Sequence, residues 1–155
     1  MNEEQSEAKA LNDVNEYGCH VLKVLGGDET PKFAYSIGIE ATSKQPDLLV
    51  TGLSHDVAHW IINEYNSRVR KGEVFLKNKF YNGFIDSFPV MFSHVLKEFY
   101  KEYLGFGLWL YRGDGFRSFQ LIYPDLSGQW PWDESASADF KWHMRMLCEP
   151  PRLVE

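Results

Sequence analysis

Phe33-Ala34-Tyr35-Ser36-Ile37-Gly38-Ile39 alternates large apolar residues with small ones, and a period of two marks a β-strand. Phe33, Tyr35, Ile37 and Ile39 fall on one side, with Ala34, Ser36 and Gly38 on the other. A strand that is bulky on one face and nearly bare on the other invites a close neighbour against the bare face. Two occupants fit that surface: a helix covering the sheet, or a ligand floored by Ser36 and framed by Tyr35. After a turn over residues 43–47, Leu48-Leu49-Val50-Thr51-Gly52-Leu53 is a second apolar run of strand length. Its near-continuous hydrophobicity predicts burial on both faces. Gly52 breaks the run, and Ser54 can cap a following helix.

Helices and strands surround this pair. Residues 2–17 read as a docked N-terminal helix, because Asn2 and Gln5 have capping-box spacing and Gly18 supplies a stop. Cys19 to Leu25 reads as a strand that turns at Gly26-Gly27-Asp28 and returns antiparallel into Phe33. The clearest helix is Ser54 to Lys71, where Val57, Ala58, Ile61, Ile62, Tyr65 and Val69 share one apolar face. Glu73 to Ile85 reads as a short strand plus a loop, Phe88–Val95 and Arg117–Tyr123 as strands, and Lys97–Leu104 as a short helix. Residues 106–112 fit helix and strand equally well. The expected fold is a single α+β domain over residues 1–155. It has a mostly antiparallel sheet of about five or six strands, with helices packed chiefly on one face and residues 135–155 as a C-terminal extension.

Charge narrows the partners. A net charge of −6 without a Lys/Arg cluster argues against nucleic acid. The chain opens Met1-Asn2-Glu3-Glu4-Gln5, acidic where a signal peptide is basic and then apolar. No apolar run approaches the roughly 20 residues of a membrane span, so the expectation is a cytoplasmic protein away from the membrane. Cys19 and Cys148 lie far apart and form no CxxC pair. Reduced thiols are the expectation, with a single bridge between them left open.

Candidate chemistry is sparse. His55 and His59 stand at i and i+4, a spacing that can chelate a metal. Asp56 replaces the Glu that a metalloprotease helix places beside its first His, and no third ligand is evident. A packed and an exposed His are therefore favoured over a metal site. Ala34-Tyr35-Ser36-Ile37-Gly38 nearly matches a nucleophile elbow, but alternation through Ser36 keeps that residue inside a strand. Cys19 and His20, as strand neighbours, point to opposite faces. No phosphate loop or dinucleotide fingerprint is present, so no cofactor is expected. The most distinctive segment runs from Gln120 through Asp125 to Trp130-Pro131-Trp132, read either as a lid over the sheet or as an aromatic recognition surface.

Gly18-Cys19-His20-Val21, Phe33 to Gly38, Pro46 to Leu53, Gln120 to Asp125 and Trp130 to Trp132 occur in an order that resembles a mostly bacterial family, domain of unknown function 4262. The resemblance covers residues 18–132 and implies no known activity, cofactor or catalytic residue. Its motif positions are Tyr35, Ser36, Gly38, Gln120, Pro124, Asp125 and Trp132; His55 and His59 fall outside it. Two functions remain open. The leading one is a non-catalytic module that binds another protein, by analogy an immunity-type, toxin-neutralising partner, with Trp130 and Trp132 in its surface. The alternative is a small-molecule or enzymatic site near Tyr35, Ser36, Gln120 and Asp125. A third reading is a homodimer with no ligand.

Overall fold

Residues 2–152 are described by the computed structural model. Helix α1 (Glu3–Tyr17) begins at the expected capping box: Asn2 Oδ1 accepts the Gln5 N–H at 2.8 Å, and Gln5 Oε1 accepts the Asn2 N–H at 3.0 Å. Gly18 ends it in the left-handed region at φ 91°. The chain then forms β1 (His20–Val24), β2 (Phe33–Ile37), α2 (Ile39–Ser43), β3 (Asp47–Thr51) and α3 (His55–Arg70). It continues through β4 (Tyr81–Ile85), β5 (Phe88–His94), a 3-10 turn at Lys97–Phe99, α4 (Tyr100–Tyr103), α5 (Gly105–Tyr111), β6 (Ser118–Ile122) and α6 (Ala138–His143).

The six strands make one sheet in the order β1-β2-β3-β6-β5-β4. Every neighbouring pair is antiparallel except β3 and β6, which run parallel with Asp47 opposite Ser118 and Leu49 opposite Gln120. The single α+β domain with a mostly antiparallel sheet is thus the fold found, and the placing of its helices is refined: they are shared between both faces.

On one face Ala34, Leu48 and Val50 pack with Ala58, Ile61, Ile62 and Tyr65 of α3. The bare side of β2 is therefore floored by a helix, and the small side chains let it come close. On the other face Phe33, Tyr35, Ile37 and Leu49 meet Tyr100, Tyr103, Leu104 and Phe116. The C-terminal segment covers the rest of that face. Gln120 Nε2 donates to the Arg145 carbonyl at 2.6 Å, its Oε1 accepts the Leu147 N–H at 2.8 Å, and Ser93 Oγ donates to the Glu149 carbonyl at 2.6 Å. Residues 144–149 are consequently built into the fold, while residues 153–155 of the expected extension lie outside the described residues.

Three local readings change. The strand from Phe33 stops at Ile37, and Ile39 opens α2 instead, because Gly38 turns left-handed at φ 100°. Residues 106–112, open between two states, are mostly helical as α5. Helix α6, capped by Ser137 accepting the Phe140 N–H at 3.0 Å, stands within residues 135–155, for which the sequence gives an extension with no assigned element. Cys19 and Cys148 are both free and buried.

Candidate functional site

The parallel pair β3 and β6 has two ends, and each gathers polar groups. At the amino end sits Asp47, fully buried. Its Oδ1 accepts from Ser36 Oγ at 2.7 Å and from the Ile39 N–H at 2.9 Å. Its Oδ2 accepts from Tyr111 Oη at 2.7 Å and from the Glu40 N–H at 3.3 Å. Tyr111 Oη in turn accepts the N–H groups of Gly38 at 3.0 Å and Ala41 at 3.3 Å. Asp47 thereby caps α2 from outside the helix, satisfying amides its own sequence leaves open. Beside it Arg117 makes a forked pair with Glu40, Nε to Oε1 at 2.8 Å and Nη2 to Oε2 at 2.6 Å. Burial pushes the Asp47 carboxyl up to about 6, against the opposing pull of Tyr111, Ser36 and the two amides. Burial, with the Asp47 charge next, raises the Tyr111 phenol. Every oxygen here is occupied, so the cluster holds the fold together and leaves nothing for a substrate.

Ser36 belongs to this cluster. It stays inside β2, as its alternation requires, and also accepts the Leu48 N–H at 3.0 Å. Tyr35 lies on the opposite face, where its Oη accepts the Phe106 N–H at 3.0 Å and secures the start of α5. Gln120 is buried and committed to residues 145 and 147. Asp125 follows β6 at the far end of the parallel pair, its Oδ1 accepting the N–H groups of Ser127 and Gln129, each at 2.9 Å. Tyr35, Ser36, Gln120 and Asp125 thus occupy four separate settings, and of the four only Asp125 borders the crevice at the carboxyl end of the pair.

At the carboxyl end of β3 and β6 the surface opens into a crevice of about 340 Å³. Leu53, Ile85, Phe88, Pro124 and Phe140 supply most of its wall; Asp125, Asp139 and His143 stand at it; and Leu126 sits beside them 93% exposed. Its shape depends on Gly52, which has φ 81° and lies so close to α6 that a Cβ would run into the His143 carbonyl oxygen. Tyr123 braces the floor by donating from Oη to the Thr51 carbonyl at 2.6 Å. A cleft outside the carboxyl ends of adjacent parallel strands is a recurrent place for ligands in open sheets, and an apolar wall with a few polar groups is their common lining.

Trp130 and Trp132 stack with centroids 5.3 Å apart and planes 2° from parallel, and Phe80 lies 5.6 Å from Trp130. Trp130 is half-buried against the core, whereas Trp132 remains 37% exposed over Met146, Pro150 and Pro151. The plate covers part of the core through Trp130 and turns Trp132 toward solvent. His55 Nε2 bonds the Val24 carbonyl at 3.0 Å, and burial lowers the proton affinity of His59. Among the described residues no group of three or more His, Cys, Asp or Glu is placed to hold a metal. Both thiols are pushed up to about 12 by burial, which leaves them protonated and unreactive at neutral pH.

The sequence profile of DUF4262, a domain of unknown function, matches residues 13–137 of the chain. The chain belongs to the DUF4262 family. Comparison with curated proteins and with solved structures gave no match. The DUF4262-like segments read from the sequence divide between the two ends of the parallel pair. Ser36, Gly38 and Asp47 build the saturated cluster, while Gly52, Leu53, Tyr123, Pro124 and Asp125 build the crevice. Sequence reasoning missed Leu53, Phe140, Asp139 and His143 as crevice residues. The usable signal was the pair of strand-ending segments Thr51-Gly52-Leu53 and Tyr123-Pro124-Asp125, which meet only if β3 and β6 are neighbours. No helix among the described residues is long and apolar enough to cross a membrane.

Proposed function

We propose that this DUF4262 chain is a non-catalytic module that binds another protein, and that the crevice at the carboxyl ends of β3 and β6 receives a segment of that partner. The carrying observation is the open apolar crevice beside Leu126, a large side chain 93% exposed. Leu126 lines the same crevice as Leu53, Phe88 and Phe140, so together they form one apolar surface, and such a surface suits a contact made with something else. Supporting it, the groups that could act as nucleophiles are already engaged: Ser36 donates to Asp47, and both thiols are buried. Reduced, buried cysteines suit cytoplasmic residence, which forms part of the same reading. A toxin-neutralising role falls within it as one kind of partner.

The test compares what the wild-type chain and Leu126→Glu capture from a native lysate of the source cell. The substitution leaves the core untouched, so thermal unfolding should be unchanged. A partner held by the wild type and lost with Leu126→Glu is the expected result. The same set captured by both would end the reading.

A further inference from the structure

The crevice also carries information about what enters it. Its lining joins the apolar side chains to two carboxylates, Asp125 and Asp139. Asp125 spends only Oδ1 on its own turn, and among the described residues its Oδ2 accepts no protein hydrogen bond. The Asp139 side chain is 87% exposed, and the His143 ring lies beside it, with Nδ1 3.6 Å from Oδ1 and 2.9 Å from the Asp139 carbonyl oxygen. No lysine or arginine lines the crevice. An apolar lining with two carboxylates and neither of those cations matches one type of side chain, a long aliphatic stem ending in a cation.

From this charge complementarity we propose that the crevice takes a lysine or arginine side chain from an extended segment of the partner protein. The stem lies along Leu53, Phe88, Pro124 and Phe140, the cation faces Asp125 and Asp139, and Leu126 packs against an apolar neighbour in the same segment. The net charge of −6 acts in the same direction by drawing a basic partner toward the surface before contact. This rests on the binding-module reading above.

Three capped tripeptides probe it on the full chain: acetyl-Leu-Lys-Leu-amide, its norleucine analogue, which keeps the stem without the charge, and its glutamate analogue. Free n-hexylammonium serves as a fourth probe. Backbone amide shifts are followed by NMR. The lysine peptide should give saturable shifts at Leu53, Tyr123 and Leu126, with the norleucine peptide about tenfold weaker, a difference of about 1.4 kcal/mol, and the glutamate peptide giving none. Asp125→Asn combined with Asp139→Asn should erase the preference for lysine over norleucine. Asn at position 125 keeps the oxygen that the turn requires, so the spectrum away from the crevice should stay as it is. Equal binding of lysine and norleucine peptides would overturn the charge preference while leaving the crevice as a contact surface. Hexylammonium binding as tightly as the peptide would overturn the assignment to a protein segment. Saturable shifts nowhere near the crevice would overturn the proposal outright, and the Leu126→Glu capture experiment then decides separately whether the module binds a partner elsewhere.

Discussion

The two ends of the β3–β6 pair hold the same chemical group in opposite conditions. Asp47 is fully buried with both oxygens occupied by four donors, whereas Asp125 is partly exposed and uses one oxygen to shape its own turn. Both residues belong to segments that resemble the DUF4262 pattern, so the pattern alone does not separate structure from recognition. Saturation does. A buried carboxylate whose lone pairs are filled is an anchor that costs several kcal/mol to disturb, while one with a lone pair left over at the rim of an apolar crevice is available to a partner. Ser36, Gly38, Asp47 and Tyr111 therefore serve folding, and the crevice is the end that we propose meets a partner.

That contrast can be broken by substitution. Asp47→Ala leaves the Ser36 and Tyr111 hydroxyls and two amides of α2 without an acceptor. It should cost about 3–5 kcal/mol, read as a fall in Tm of roughly 10 °C or more. A loss below about 1 kcal/mol would show that the cluster is not an anchor.

The same group sets a pH dependence of known sign. Because burial raises Asp47 from 3.8 to about 6, the folded state holds its proton more tightly than the unfolded chain does. Its contribution to stability is full below the unfolded value and is lost as pH rises through about 6. Denaturant titrations of wild type and Asp47→Asn should therefore show the wild-type advantage shrinking between pH 4 and pH 6, by on the order of 1–3 kcal/mol. A constant difference across that window would contradict the burial argument.

At the other end, Gly52→Ala forces a Cβ into the His143 carbonyl at φ 81°. It should cost about 2 kcal/mol and shift the amide resonances of α6 and the crevice together. Asp125→Asn should be the mildest change, within about 0.5 kcal/mol of wild type, since the amide oxygen can still accept the Ser127 and Gln129 N–H groups. A stability loss at Asp125→Asn as large as at Asp47→Ala would erase the distinction between the two ends.

Local signals reached the elements and stopped at their meetings. The capping box at Asn2, the stop at Gly18, the apolar face of α3 and the alternation of β2 were all legible, because each depends on residues within a few positions of one another. Helix α2 was not legible, since its start is held by Asp47, eight residues after Ile39, and by Tyr111, which comes from another helix. Helix α6 carries only a brief apolar pattern, and its last turn lies close against Gly52, far away in the chain. Among the candidate site residues, Asp125 was singled out for its place in a distinctive segment and lines the crevice, and Trp130 and Trp132 were singled out for their aromatic area. Tyr35, Ser36 and Gln120 were also singled out, yet their polar atoms are spent on Phe106, Asp47, Leu48 and the C-terminal segment.

By itself the sequence determined that this protein is a single α+β domain with a mostly antiparallel sheet, because periodicity, caps and turn residues act over short separations and persist in any arrangement of the elements. Only the tertiary structure decided that β3 and β6 lie side by side and parallel. That one pairing brings Thr51-Gly52-Leu53 against Tyr123-Pro124-Asp125 across some seventy positions of chain. Which polar groups end up satisfied and which are left facing solvent is a property of that meeting, and no stretch of the chain carries it alone.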